Sequence, residues 1–398
     1  MTGSYDAKRD RGAWLEIDLA AMLHNIEVIR SVVGPAAAVA PVVKADAYGH
    51  GVEAVGPALA PNVEALCVAT LDEALALRPR VPGRIVLLYP VPHEAAADAA
   101  RAGVELTVMS VADLEAIRAA APATGRVVRV HIGVETGMSR GGVLPHAVPA
   151  IAAAAVSDPH IELAGLWSHL HSPEDPPSSD AQVLRFEAAV TALHEAGIPI
   201  PPRHIAASGG IFTHDEPSLD LVRPGIAVYG VLDADLPIAP DAVEAAARLR
   251  PAMSLKARPA AFSEVPVGGT VGYGGIWRAE RPSRIAVLPV GYGDGYLRSS
   301  QPDAAALVRG RRVPIVGRVS MDAVTVDVTD LPALDHSEEF VLMGRQGGDE
   351  ITAVELARRR NTIPWEVLTG MAQRLGRVYY PLAGTTRRGP ETAGTDET

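Results

Sequence analysis

Between Val39 and Val222 the chain alternates, eight times over, between short apolar runs rich in β-branched residues and alanine-rich stretches of helical character. A short apolar run with no polar alternation suits a strand covered on both faces, and such strands separated by helices are parallel strands joined by crossovers. The runs lie near Val39–Val43, Ala65–Ala69, Ile85–Tyr89, Glu105–Val108, Val127–Ile132, Leu163–Trp167, Arg203–Ala206 and Leu219–Val222, with helices such as Leu71–Arg78 and Asp180–Ala196 between them. Eight consecutive βα units favour an α/β fold of the closed (β/α)8 TIM-type barrel class over an open doubly wound sheet.

The texture changes near residue 250. Met253–Phe262, Arg284–Val290, Ala306–Val319 and Ala323–Val328 are strand-rich and punctuated by glycine and proline, which predicts a mostly β C-terminal domain. One amphipathic helix is expected within it, from about Trp365 to Leu375. The expected organisation is a flexible N-terminus over residues 1–13, the barrel over 14–249, the β-rich domain over 250–382 and a flexible polar tail over 383–398. A length of 398 residues accommodates two such domains.

Charge narrows the partner. The net charge is −11, from 36 basic against 47 acidic residues, and no block of Lys and Arg stands out against it, so neither nucleic acid nor an anionic membrane is the expected partner. A small molecule suits the chain better. Cys67 is the only cysteine and lies in an apolar run, so no internal disulfide can form and a reducing compartment fits. The N-terminal MTGSYDAKRDRG has no apolar core of a signal peptide, and no run of about 18 apolar residues occurs, so a cytoplasmic protein is expected.

In a parallel barrel the functional groups sit on loops leaving the C-terminal ends of the strands. The first expected strand is followed at once by Lys44, the fifth by TGMSR with Arg140, and the sixth by Ser168 and His169. The seventh is followed by Ser208-Gly209-Gly210 and the eighth by Arg223-Pro224-Gly225. Taken singly, each has a bland explanation: a loop lysine or arginine is commonly a solvated charge, a lone histidine a structural one, and SGG or PG plain turn chemistry. Together they would ring one mouth. Ser208 offers a hydroxyl, and the segments at Gly209 and Gly225 expose backbone N–H groups, which suits a phosphate. A lysine whose pKa of about 10.4 is lowered by burial or by a nearby cation becomes a nucleophile. Pyridoxal phosphate meets both demands. The His169/His171 pair lacks a second cluster to complete a metal site, and no metal is expected.

The runs PVVKADAYGHG, ETGMSR, SGG, RPGIAVYG, MSLKARP, VGYGGIW, VGYGDGY and VSMD occur in an order and context that resemble the alanine racemase family of fold-type III pyridoxal-phosphate enzymes, from roughly Trp14 to Pro381. KADAYGHG alone points to that barrel type, and VGYGGIW in a second domain points to the racemase branch. The resemblance implies a barrel plus β-domain homodimer whose active site is completed across the interface. It implies a racemase that interconverts L- and D-alanine and serves D-alanine biosynthesis.

Racemisation requires a proton to leave Cα on one face and another to arrive on the opposite face, so two acid/base groups are needed. The resemblance gives these parts to Lys44 and to Tyr273 of the partner subunit, with His169 and, behind it, Arg223 supporting the tyrosine. Arg223 also looks like the partner of the pyridine nitrogen. An arginine does not readily give up its proton there, so the ring nitrogen stays unprotonated and transamination is suppressed. Tyr48, Ser208 and the main chain at Gly225 and Ile226 resemble the phosphate ligands. His204 would lie against the cofactor ring or one layer behind it. Arg140 resembles the residue that meets the cofactor's phenolic oxygen and the substrate carboxylate, a charge-assisted pairing. Met321 resembles a backbone donor to that carboxylate, and Tyr292, with Asp322 beside it, would line the entry passage or serve a structural part.

Several positions depart from the family pattern. Gly133 stands where many members carry a carbamylated lysine that orients the arginine at Arg140's position. Ala207 replaces a typical asparagine, Glu135 a typical aspartate, and the loop SHLHSPED differs from the common one. Trp365, in NTIPWEVL, replaces a tyrosine that touches phosphate and substrate side chain, and an indole is a bulkier donor. These changes leave open a racemase for another small amino acid or an impaired cofactor-binding homologue. A decarboxylase of the same fold type fits VGYGGIW less well.

Overall fold

The computed structural model describes residues 11–213, 219–296, 298, 303–331 and 333–380. Residues 1–10, Pro381 and residue 382, and the tail over 383–398 lie outside the described residues.

Eight short strands form the barrel: Ala38–Val39, Ala65–Val68, Arg84–Leu87, Leu106–Val108, Val128–Gly133, Ile161–Trp167, Arg203–His204 and Leu221–Val222. All their pairings are parallel, and the first strand pairs with the last, Ala38 with Leu221 and Val39 with Val222, which closes the ring. Single bridges at Val42–Cys67, Val86–Glu105 and Ala207–Arg223 complete the seams. The first strand is shorter than its apolar run because Pro41 has no N–H to donate. The chain nonetheless keeps its register past the proline, for Cys67 N–H donates to the Pro41 carbonyl and Val43 N–H to the Cys67 carbonyl, both at 2.8 Å. Cys67 is a fully buried strand residue, and burial pushes its thiol pKa up to about 12.

Some of the crossover helices begin where a side chain caps them. Leu71–Leu77 starts at Thr70, whose hydroxyl accepts from Glu73 N–H, while the Glu73 carboxylate accepts from Thr70 N–H and Ala69 N–H. This reciprocal cap satisfies backbone donors that the first helical turn leaves open. The helix Pro176–Glu195 likewise opens on proline, whose missing N–H costs nothing at that position.

The second domain is built around a mixed sheet in the order Arg311–Pro314, Ala305–Val308, Phe340–Gln346, Met253–Ala257, Ala13–Asp18, Gly376–Tyr380, with Asp349–Ile351 beside Phe340–Gln346. Ala13–Asp18, expected at the start of the barrel, therefore belongs to this sheet, antiparallel to Met253–Ala257 and parallel to Gly376–Tyr380. Its alternation explains why: Ala13, Leu15 and Ile17 are buried while Trp14, Glu16 and Asp18 are not, the pattern of a strand with one face on a core. A second sheet joins Ala261–Val265, Ser283–Leu288 and Val324–Asp327.

Three expectations change in detail. The run Met253–Phe262 is two strands, Met253–Ala257 and Ala261–Val265, because Pro259 cannot continue a ladder. Ala306–Val319 contains a hairpin that turns at Arg309-Gly310, both with positive φ. The helix expected from Trp365 to Leu375 is shorter, Pro364–Thr369 ending at Gly370, and another, Ala353–Arg360 capped by Thr352, precedes it. One apolar cluster runs from the barrel into the second domain, from Ile26 and Val222 to Leu255 and Leu342. Among the described residues no helix is long and apolar enough to cross a membrane.

Candidate active site

Lys44 follows the first barrel strand directly and enters an unusual turn. Ala45, Asp46, Ala47 and Tyr48 have φ values of 52°, 55°, 53° and 53°, a left-handed turn made by residues that all carry a Cβ. Each such residue costs about 1–2 kcal/mol, so surrounding contacts must hold the turn in place. Glu73, already capping its own helix, accepts from Ala45 N–H at 2.7 Å, and Asp46 accepts from Val52 N–H at 2.8 Å. Tyr48 stacks on Tyr229 with ring centroids 4.9 Å apart. The turn swings the Tyr48 hydroxyl against Gly225, where an added Cβ would lie 2.5 Å from that oxygen. Only glycine leaves room for the hydroxyl there.

The mouth holds a cavity of about 590 Å3 that takes Lys44, Arg140, His169, Ser208, Arg223 and Trp365 into one wall. Tyr48, Gly225 and Ile226 line it as well. Burial lowers the Lys44 pKa, and the Arg140 and Arg223 charges add to the effect against the opposing pull of Glu73. That shift makes a neutral, nucleophilic amine more accessible. His169 is driven down to about 3 by burial first and then by Arg223, Arg140 and Lys44, so it is a neutral imidazole near pH 7.

Arg223 is buried, and burial lowers its pKa to about 10, which still leaves it cationic at neutral pH. Its guanidinium donates to the carbonyls of Ser168 at 2.7 Å and His204 at 3.0 Å and meets His204 Nδ1 at 2.6 Å. It also sits 5.0 Å over the Trp167 ring. A cation held only by carbonyls, a ring nitrogen and an indole face retains its charge for a ligand in the cavity. Opposite, Ser208 Oγ accepts from Gly225 N–H at 2.9 Å and Ala227 N–H at 3.1 Å. Those two bonds fill the oxygen's acceptor sites and direct its proton outward, as an anion requires.

The departures have physical counterparts. A Cβ on Gly133 would meet Met109 Cγ at 3.3 Å and the Trp167 indole at 3.4 Å, so Trp167 and Met109 crowd the place where a longer side chain would start. Arg140 is placed instead over the Tyr89 ring, 5.6 Å from its centroid. Ala207 lines the cavity next to Ser208, and Trp365 reaches it from the second domain of the same chain, together with Thr369. His169 and His171 share this wall, and among the described residues no group of three His, Cys, Asp or Glu side chains gathers to hold a metal ion.

Some residues lie elsewhere. His204, expected against or just behind the cofactor ring, is not on the cavity wall: it is buried behind Arg223 and stacks on Trp167 at 6.1 Å. Tyr273, Tyr292 and Met321 are away from this chain's cavity, on the outside of the second domain, with 65%, 37% and 52% of their surface exposed. Tyr273 tops the turn between Thr270–Val271 and Trp277–Arg278. Tyr292 N–H donates to the Ser320 carbonyl and Gly293 N–H to the Met321 carbonyl, which sets Tyr292 beside Met321, with Asp322 tied to Arg374 at 2.8 Å.

Sequence reasoning passed over Tyr89, Trp167 and Glu73. Tyr89 closes the expected third strand and Trp167 the sixth, so asking which residue ends each strand would have found both. Glu73 carried a signal of its own in Thr70-x-x-Glu73, the pattern of a capping box.

A closed parallel barrel with a half-buried lysine, a buried cation and an anion cradle at its mouth, capped by a β-rich second domain, defines an amine-bearing barrel enzyme for a small anionic ligand. The chain belongs to the alanine racemase family: the models for the alanine racemase N-terminal and C-terminal domains match residues 17–233 and 252–379. It is 38% identical over 375 residues to an alanine racemase of Desulfovibrio desulfuricans, covering 93% of this chain and 98% of that one. The alanine racemase structure from Streptomyces coelicolor is 35% identical with a TM-score of 0.84 over 94% of this chain and 99% of that one. The alanine racemase from Bartonella henselae, solved with covalently bound pyridoxal phosphate, is 29% identical with a TM-score of 0.80 over 93% of this chain and 99% of that one.

Proposed function

We propose that this protein is a pyridoxal 5'-phosphate-dependent amino-acid racemase that interconverts L- and D-alanine with two bases, Lys44 and the Tyr273 of the partner subunit. The observation that carries the reading is the placement of half-buried Lys44 in one cavity with cationic Arg223 and the Ser208–Gly225 cradle. The residues present fit the cofactor. An accessible amine suits its aldehyde, the outward-directed Ser208 hydroxyl and the Tyr48 that lines the cavity beside Gly225 suit its phosphate, and a buried arginine suits its ring nitrogen. Bound there, pyridoxal phosphate supplies the electron withdrawal that acidifies the substrate Cα–H.

Lys44 takes or returns the Cα proton on its own face. Its amine is prepared for this by burial and by the Arg140 charge. Arg140, over Tyr89, offers a guanidinium to the substrate carboxylate. Arg223 keeps its own proton and would be the donor to the cofactor's ring nitrogen, which would limit electron withdrawal to what racemisation needs and disfavour transamination. Neutral His169 supports the opposing tyrosine by hydrogen bonding and not by charge.

The second proton-transfer group is the reason for a homodimer. Tyr273, Tyr292 and Met321 form an exposed face that a second copy would bring to the barrel mouth, where the partner's Tyr273 would oppose Lys44. The small amino acid is the substrate, and the cytoplasm, the reducing compartment that suits lone Cys67, is the expected location.

The test is solvent deuterium exchange at Cα across a panel of L-amino acids, followed by chiral analysis. Alanine should gain deuterium and reach both enantiomers from either side. Exchange confined to another amino acid would move the substrate, and no exchange with any small amino acid in the cofactor-loaded dimer would reject the reading.

A further inference from the structure

Behind Arg223 a file of buried polar groups crosses the inside of the barrel. Arg223 Nη1 meets His204 Nδ1 at 2.6 Å, His204 Nε2 meets His131 Nδ1 at 3.0 Å, and His131 Nε2 meets Glu105 Oε2 at 2.7 Å. Every one of these side chains is buried. Glu105, just before the strand Leu106–Val108, stands at the end of the barrel away from the mouth and is clasped by Arg84 at 2.6 and 2.9 Å and by Arg129 at 2.9 Å. Space for the file is built in. A Cβ on Gly165 would fall 2.1 Å from His131 Nδ1 and 3.0 Å from His204 Nε2, so glycine at this strand position is what lets the two rings meet.

Donor and acceptor chemistry fixes every proton in the file. Arginine can only donate, so His204 Nδ1 must accept and its proton must be on Nε2. That N–H faces His131 Nδ1, which must then accept, so the His131 proton is also on Nε2 and points at the Glu105 carboxylate. Both imidazoles are neutral, since burial depresses their pKa values. Glu105 is ionised: although burial works against it, the hydrogen bonds from His131 and Arg84 bring its pKa down to about 2.

We propose that Glu105 is a positioning residue for the reaction, acting through His131 and His204 to fix the side on which Arg223 is met by an acceptor and so the guanidinium's orientation at the cavity. The proposal rests on the reading of Arg223 as the group that faces the cofactor ring. It concerns no proton transfer along the file; each proton stays on the nitrogen named.

Glu105→Gln is the informative change, because it keeps the shape and replaces one acceptor oxygen by a donor NH2. Turned toward Oε1, that NH2 would face Arg84 and Arg129; turned toward Oε2 it faces His131 and one Arg84 nitrogen. The second arrangement opposes fewer donors and makes His131 Nε2 an acceptor. The tautomers of both rings would then reverse, and His204 would present Nδ1–H to the Arg223 N–H, donor against donor.

The measurement is 15N NMR of the histidine side chains in the holoenzyme, with resonances assigned through His131→Gln and His204→Gln, because tautomers are not visible in heavy-atom positions. The wild type should show both rings as Nε2–H, and Glu105→Gln should show both as Nδ1–H. The variant should lose kcat by roughly ten- to a hundredfold, with KM and cofactor retention near wild type and an altered cofactor absorption band, as a misplaced group near the reacting centre would produce. Nδ1–H on His204 in the wild type overturns the proposal without any variant, should Glu105→Gln fail to fold. Reversed tautomers with unchanged kcat and absorption overturn the link to Arg223. A wild type that shows both Nε2–H tautomers yet exchanges no Cα proton fails the racemase reading and leaves the file itself standing.

Discussion

Lys44 and Tyr273 carry the two halves of one proposed proton exchange in opposite physical surroundings. Lys44 lies half-buried in a cavity, on a strained turn held by Glu73 and Asp46, with its pKa lowered by burial and by Arg140. Tyr273 stands on a two-stranded turn of the second domain with 65% of its surface exposed and glycine on either side. The difference teaches where the chain commits its organisation. The barrel side is built within one subunit, and strain there is held by packing; the tyrosine side is exposed in the single chain, and the proposed dimer is what would give it an environment.

The largest expected effect breaks the finished side. Lys44→Ala removes both the proposed cofactor attachment and one proposed base, and racemisation should fall by at least about a thousandfold. Denatured variant protein should hold no covalent cofactor chromophore. Substantial turnover in the variant would mean that the cavity is not the reaction site.

Tyr273→Phe breaks the open side and should cost roughly 10^2- to 10^4-fold, the span of a lost general acid/base. A mixture sharpens the comparison further. When Lys44→Ala and Tyr273→Phe subunits are unfolded and reassembled together, half of the dimers are mixed, and in each of those one site has an intact lysine and an intact tyrosine. About a quarter of wild-type activity should return if the tyrosine is lent across a two-fold interface, and none if it serves its own chain.

The barrel side also carries an acid response of its own. The barrel side contains histidines held neutral by burial, His50 with its pKa down to about 4 and His169 down to about 3. In each case the folded value lies below the unfolded value of 6.5, so the unfolded chain binds more protons between the two. The stabilisation is fully present above pH 6.5 and is lost as the pH falls through that window, up to about 3 kcal/mol at pH 4 for His50 alone. Denaturant midpoints measured from pH 7 to pH 4.5 should fall steeply in the wild type and less steeply in His50→Gln. Equal slopes would show that His50 does not carry the effect.

What was legible in the sequence follows from the range of the interactions. Lys44, Arg140, His169, Ser208 and Arg223 were legible because each lies on a segment that leaves the C-terminal end of a strand, and such segments can be read locally. Their neighbours in space could not be. Ala13–Asp18 joins Met253–Ala257 and Gly376–Tyr380, a pairing between the two ends of the chain that no local pattern announces. His204 could be read either against the ring or one layer behind it, and the choice between them depends on the depth of a strand side chain in the barrel, set by shear and by Gly165, which a linear reading does not supply. Glu105 and His131 were read as members of apolar strands, and their mutual burial became visible only when the strands were set side by side.

A smaller effect is expected at the phosphate end. Gly225→Ala would bring a Cβ to 2.5 Å from Tyr48 Oη, and either the hydroxyl or the loop must move. Cofactor affinity should weaken about tenfold, equivalent to about 1.4 kcal/mol, with little change in kcat once the cofactor is saturating.

Trp365 gives the smallest effect and the most specific one, because it belongs to the second domain yet lines the barrel cavity of its own chain. With Thr369 of the same helix, it is where the second domain reaches that cavity within one chain. Trp365→Tyr removes part of an indole from the wall and leaves Lys44, Arg223 and Ser208 untouched. Removing wall volume should not change proton transfer, so kcat for alanine should stay within about twofold, while kcat/KM for a larger amino acid such as serine should rise relative to alanine by about three- to tenfold, the worth of a small change in an apolar wall. The measurement is competition between the two substrates in one vessel with chiral detection. An unchanged ratio would place the substrate side chain away from Trp365 and assign the control of substrate size to another wall of the site.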